Sequence, residues 1–110
     1  MPLSERVRIE VYVPDLPGHG YRLLLATLER EFSFTFGGCT IIRGLDGSYL
    51  SRAGVVIHDR VNLIYTDAPF SMSGQRETIS RYAEELKAAA YEALEEEAIL
   101  VVVQVVFHAE

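Results

Sequence analysis

Apolar and polar residues alternate in the opening run Val7-Arg8-Ile9-Glu10-Val11-Tyr12-Val13. Val7, Ile9, Val11 and Val13 fall on one side, with Arg8, Glu10 and Tyr12 on the other. That period of two marks a strand with one face in a core. Pro14 ends the ladder, and Pro14-Asp15-Leu16-Pro17-Gly18-His19-Gly20 is a loop by composition. The period then changes. Tyr21, Leu24, Leu25, Leu28 and Phe32 recur at helical spacing and predict a helix over 21–31 that buries this stripe. Gly37-Gly38 returns the chain to a second strand, which starts at Cys39-Thr40-Ile41-Ile42. Gly44-Leu45-Asp46-Gly47 interrupts it and Ser48-Tyr49-Leu50 resumes it, so a bulge or bend is expected there. Ser51-Arg52-Ala53-Gly54 is the hairpin tip. The third strand spans 55–66. Its more apolar parity, Val55, Ile57, Val61, Leu63 and Tyr65, is assigned to the core, leaving Val56, His58, Arg60, Asn62, Ile64 and Thr66 on the open side. After a loop over 67–74, Ser73 is placed as the cap of a second helix reaching about Glu96. Ile79, Tyr82, Ala83, Leu86, Ala89, Ala90, Ala93 and Leu94 form its stripe. The last strand spans 99–107.

Strand, helix, strand, strand, helix, strand is the split pattern of the ferredoxin-like fold, an α+β two-layer sandwich. Right-handed crossovers put the third strand between the first two and the fourth beside the first. The expectation is an antiparallel sheet in order 4-1-3-2 with both helices on one face, in a single domain covering residues 1–110. Val11, Leu25, Leu63, Leu86 and Val103 are the expected core. The loop over 15–20, the hairpin arm over 43–54 and the turn after Glu97 should meet at one end. Phe32-Ser33-Phe34-Thr35-Phe36, the Pro69 loop and the termini should meet at the other.

The fourth strand is an edge strand, and edges are usually short, charged or covered. This one is uncharged and apolar on both parities, with Leu100, Val102 and Val106 opposite Val101, Val103 and Val105. An uncovered apolar stripe marks an interaction surface. Self-association as a dimer or higher oligomer, through strand 99–107 and the open sheet face, is therefore expected.

Charge and cysteine content narrow the function classes. The net charge is −6, which disfavours nucleic acid as a partner. Much of the acidity sits on the second helix, at Glu84, Glu85, Glu92, Glu95, Glu96 and Glu97, where a solvated face is the plain explanation. Cys39 is the only cysteine, so neither an intrachain disulfide nor a cysteine-rich metal site is expected. His19, His58 and His108 are scattered, without zinc-type spacing. No secretory signal or membrane span is recognisable, so a cytoplasmic protein that does not enter a membrane is the expectation.

Two clusters could carry chemistry. The first is the hairpin end, with Asp15, His19, Arg43, Asp46 and Tyr49. Arg43, helped by backbone amides near Gly44 and Gly47, would bind a small anionic ligand; ordinary turn formation explains the same residues. The second is the open sheet face, with Arg8, Glu10, Tyr12, His58, Arg60, Asn62 and Gln104, where cross-strand pairing such as Glu10 with Arg60 competes with a site. No dinucleotide or phosphate-loop fingerprint is present and no cofactor is expected.

The stretch Gly38-Cys39-Thr40-Ile41-Ile42-Arg43-Gly44-Leu45-Asp46-Gly47-Ser48-Tyr49, followed by Gly54-Val55-Val56-Ile57-His58-Asp59, resembles a pattern in small uncharacterised bacterial proteins. The fold so expected is also similar to those of dimeric alpha–beta barrel proteins and regulatory ligand-binding plaits. The resemblance implies a fold and an assembly mode; no signature residue of either group can be carried over. Three readings follow. The first is an oligomeric module that binds a ligand or partner. The second is a small cofactor-free enzyme of the dimeric alpha–beta barrel type, an isomerase, oxygenase or lyase, using His58, Tyr12 or Arg60 beneath the open face. The third is an interaction protein encoded beside its partner.

Overall fold

The structure, a computed structural model, describes residues 2–94 and 99–110. The elements run β1 (Leu3–Pro14), α1 (His19–Phe36), β2 (Thr40–Leu50), β3 (Val56–Ala68), α2 (Met72–Leu94) and β4 (Leu100–Ala109). All neighbouring strands are antiparallel, and the sheet order β2-β3-β1-β4 is the expected 4-1-3-2 read from its other edge. This is the ferredoxin-like sandwich.

Alternation along β1 organises the core. Val7, Ile9, Val11 and Val13 are each no more than 1 % exposed. They pack with Leu24, Leu25, Leu28 and Phe32 of α1 and with Ile79, Leu86 and Ala90 of α2. Val101 and Val103 join from β4, half-buried. Both helix stripes have the expected phase, although Ala89 and Ala93 are exposed.

The assignment of faces on β3 is corrected. Ile9 is opposite Thr66, Val11 opposite Ile64 and Val13 opposite Asn62. Directly opposed residues share a face, so Asn62, Ile64 and Thr66 lie under the helices while Val61, Leu63 and Tyr65 lie on the open side. Leu63 is buried, but on the open face rather than between sheet and helices. Counting apolar residues misleads here because the inward polar groups have structural partners. Thr66 donates to the Gly38 carbonyl at 2.7 Å, and the Asn62 Oδ1 accepts the Gly44 N–H at 3.0 Å.

That second bond secures the expected bulge. The β2–β3 register shifts between Ile42 and Leu45, so Arg43 and Gly44 together oppose Asn62. Gly44 has φ +70, and a Cβ there would lie 2.6 Å from the Arg60 guanidinium. The left-handed backbone therefore favours glycine here, and a side chain would also have to push the Arg60 guanidinium aside.

Helix α1 runs beyond its expected end at Glu31 to Phe36. Phe32 and Phe36 continue the buried stripe at i, i+4, and the rings of Phe36 and Tyr82 meet edge-on at 5.5 Å. Gly37, with φ 93, closes the helix and donates to the Ser33 carbonyl at 3.0 Å. Ser73 lies within the first turn of α2 rather than capping it, and Gln75 interrupts that turn at φ −128. The Gln75 Oε1 accepts the Ser71 N–H at 2.8 Å. The expected continuation of this helix to Glu96, and the turn after Glu97, lie outside the described residues.

Candidate functional site

The pleat sends Arg6, Arg8, Glu10 and Tyr12 of β1 to the face that no helix covers. The register sets Val106, Gln104, Val102 and Leu100 of β4 beside them, in that order. On the other flank Tyr65 stands opposite Glu10 and Leu63 opposite Tyr12. Ile42 and Leu45 of β2 continue the row. The face thus has a polar centre between two apolar flanks.

Inside that centre the polar groups satisfy one another. Glu10 is 7 % exposed although nothing overlies it. Its Oε2 accepts from the Gln104 amide at 2.9 Å, and its Oε1 receives the Tyr12 hydroxyl at 3.5 Å. Burial, with the Glu10 charge and this hydrogen bond adding to it, pushes the Tyr12 phenol above its ordinary range. Arg8 grips Asp67 in a fork, with contacts of 2.7 and 3.0 Å, and its guanidinium lies 4.2 Å from the centre of the Tyr65 ring. His108 Nε2 reaches the same carboxylate at 2.7 Å. The Arg8 hydrogen bond holds the Asp67 carboxyl below its ordinary range; burial opposes this and His108 reinforces it.

Chemically, this is a cluster of charge-assisted hydrogen bonds on a surface, with one carboxylate that keeps acceptor capacity. Glu10 has roughly four lone-pair positions and the described residues occupy two. It can accept from a further donor.

Of the residues placed on this face from sequence, Arg8, Glu10, Tyr12 and Gln104 are there and Asn62, Arg60 and His58 are not. The parity of β3 sends all three to the opposite side. Asn62 is buried beside Asp15, donating to its Oδ1 at 3.4 Å. Arg60 lies across Gly44, which excludes the expected Glu10–Arg60 pair. The His58 ring meets the Ser48 hydroxyl at 3.1 Å.

The hairpin-end cluster is also redistributed. Asp15 does meet the arm, its N–H donating to the Arg60 carbonyl at 2.8 Å. Asp46 stands opposite Arg60 in the register, while Tyr49, opposite Ile57, is on the other face and exposed. His19 is the exposed first residue of α1. Arg43 turns instead to a cavity of about 240 Å³ between α1 and β2, shared with Arg22, Leu25, Ala26, Glu29 and Ile41. Sequence reasoning missed Arg22, Asp67 and His108. Only the helical spacing of Arg22 from Leu25, Ala26 and Glu29 could have pointed to its neighbours. For Asp67 and His108 the signal was the length of β3 and β4, both of which outrun their apolar segments.

Among the described residues no three side chains come together as a metal site, and no helix is long and apolar enough to cross a membrane. No family model matches the chain, and no curated protein matches it. Several solved structures are similar. The divalent cation tolerance protein CutA1 from Thermus thermophilus is 18 % identical, with TM-score 0.55 over 91 % of this chain and 82 % of that one. A phage SAM lyase in complex with S-methyl-5'-thioadenosine is 13 % identical, with TM-score 0.61 over 96 % and 90 %. CPII from Thiomonas intermedia, bound to ADP, AMP and acetate, is 18 % identical, with TM-score 0.51 over 100 % and 94 %. At these identities the likeness is one of fold.

Proposed function

We propose that this protein is a self-associating domain that binds a small ligand, its copies packing through the open sheet face and β4. One observation carries the reading: an uncovered face whose polar centre is internally satisfied and whose flanks are apolar. Leu100 is 54 % exposed on one flank and Ile42 is 41 % exposed on the other. Covering one such half-exposed side chain is worth about half of the roughly 1.5–3 kcal/mol for full burial, and a symmetric contact counts each residue twice. The satisfied centre enters such an interface with few new unpaired groups. The ligand half is supported by the similar structures, two of which hold small molecules.

Sedimentation velocity at micromolar concentration tests the assembly, and thermal shift with a panel of carboxylates, phosphates, AMP and S-methyl-5'-thioadenosine tests the ligand. An assembled protein that is stabilised by a panel member is the expected result. A compact monomer, or no shift with any compound, contradicts the corresponding half.

A second reading, a cofactor-free lyase, is favoured by Glu10, a sheltered carboxylate beside the Tyr12 hydroxyl, in a fold similar to that of the phage SAM lyase. Incubation with S-adenosylmethionine, followed by chromatography for S-methyl-5'-thioadenosine, tests it. Product that disappears in Glu10→Gln supports the enzyme, and none from the wild type removes it.

A further inference from the structure

The geometry points to a binding site between α1 and β2 for a small linear zwitterion, with an oxyanion at one end, an amine at the other and a short apolar chain between. This inference rests on the ligand-binding reading and names its ligand class and its place. The helix supplies Arg22, Leu25, Ala26 and Glu29, which line the cavity at positions i, i+3, i+4 and i+7 of one α1 face. Opposite them β2 supplies Ile41 and Arg43, two residues apart and so on the same side of the strand.

Charge is arranged along this cavity in a definite order. Arg22 begins the helical row and Glu29 ends it, two turns or about 10 Å further along the axis. Leu25, Ala26 and Ile41 form the apolar section of the lining. Among the described residues neither Arg22, Arg43 nor Glu29 takes part in an ion pair. In a chain with net charge −6, two arginines that share one cavity and form no ion pair among the described residues are suited to an anionic ligand. Paired guanidiniums suit a carboxylate or phosphate, which can take two N–H donors from each. The Glu29 carboxylate accepts from an ammonium group and repels a second anion. The apolar lining then selects methylene groups over a polar linker.

Spacing separates this ligand from an α-amino acid, whose two charges sit on adjacent carbons. The probe is ε-aminocaproate, with three controls: its isomer norleucine, caproate without the amine, and hexylamine without the carboxylate. Binding is read from amide shift changes in the nitrogen-15 spectrum, which also shows whether each variant is folded. For the wild type, ε-aminocaproate should perturb Ala26 and Ile41 and bind at least about tenfold more tightly than every control, a gap that marks the loss of one charged contact. Arg43→Gln should weaken it by about tenfold or more, and Arg22→Gln likewise. Glu29→Gln should bring ε-aminocaproate down to the level of caproate. Equal binding of ε-aminocaproate and caproate to the wild type, or no perturbation up to tens of millimolar, overturns the inference. Failure here together with thermal stabilisation by another panel compound removes this ligand class alone. Failure with the whole panel removes the ligand-binding reading itself.

Discussion

The two faces of the sheet solve different problems with the same strand. On its covered side β1 presents four aliphatic residues that the helices seal almost completely. On its open side it presents Arg8, Glu10 and Tyr12, each tied to a neighbour on the same face. The covered face owes its stability to removal of apolar area from water. The centre of the open face depends on hydrogen bonds to charged groups, which respond to pH. Its flanks resemble the covered face in chemistry but lack a cover. The contrast is that of a sealed interior and an uncovered face, for which we propose another copy as the cover.

The largest expected effect is on the covered side. Phe32 is wholly buried between sheet and helices, so Phe32→Ala should cost about 3–5 kcal/mol in denaturant titration. A loss below about 1 kcal/mol would mean that the helix layer seals the sheet much less than its packing indicates.

Asn62 tests the corrected face of β3. Asn62→Leu would leave the Gly44 N–H without its acceptor and the Asp15 carboxylate without a donor. A loss of about 1–3 kcal/mol is expected, by the same titration. If Asn62 faced outward, the substitution would be nearly neutral.

On the open side, Asp67 brings pH dependence. Its carboxyl titrates below the ordinary 3.8 in the folded chain. The stabilisation it provides is therefore complete above that value and disappears as pH falls through the lower folded one. Asp67→Asn should lower stability at neutral pH by about 1–2 kcal/mol and have little effect in strong acid, where both chains carry a neutral group. Equal losses at both pH values would show that shape, rather than charge, accounts for the effect.

Much of the fold was legible in the sequence because its signals are local. Four aliphatic residues at alternate positions mark β1, and two helical stripes mark α1 and α2. The face of β3 was harder to read, since Leu63 and Tyr65 are as apolar as a core row but belong to a second surface. The end of α1 was obscured by the alternation of Phe32, Phe34 and Phe36, which mimics a strand until Gly37 closes the helix. The candidate sites were less legible. Arg43 was visible as an isolated cation, but Arg22 and Glu29 meet it only through packing of α1 on β2. The Asp67–Arg8–His108 group joins residues far apart in sequence, brought together by register alone.

We propose that the open face is covered by another copy of the chain. Val102 sits on that face, opposite Glu10 in the middle of β4, and Val102→Lys would put an unpaired ammonium into the interface. Sedimentation velocity of both proteins at micromolar concentration measures this directly. A wild-type oligomer that the substitution shifts to monomer is expected; a wild type that sediments as a compact monomer would rule out the copy as the cover.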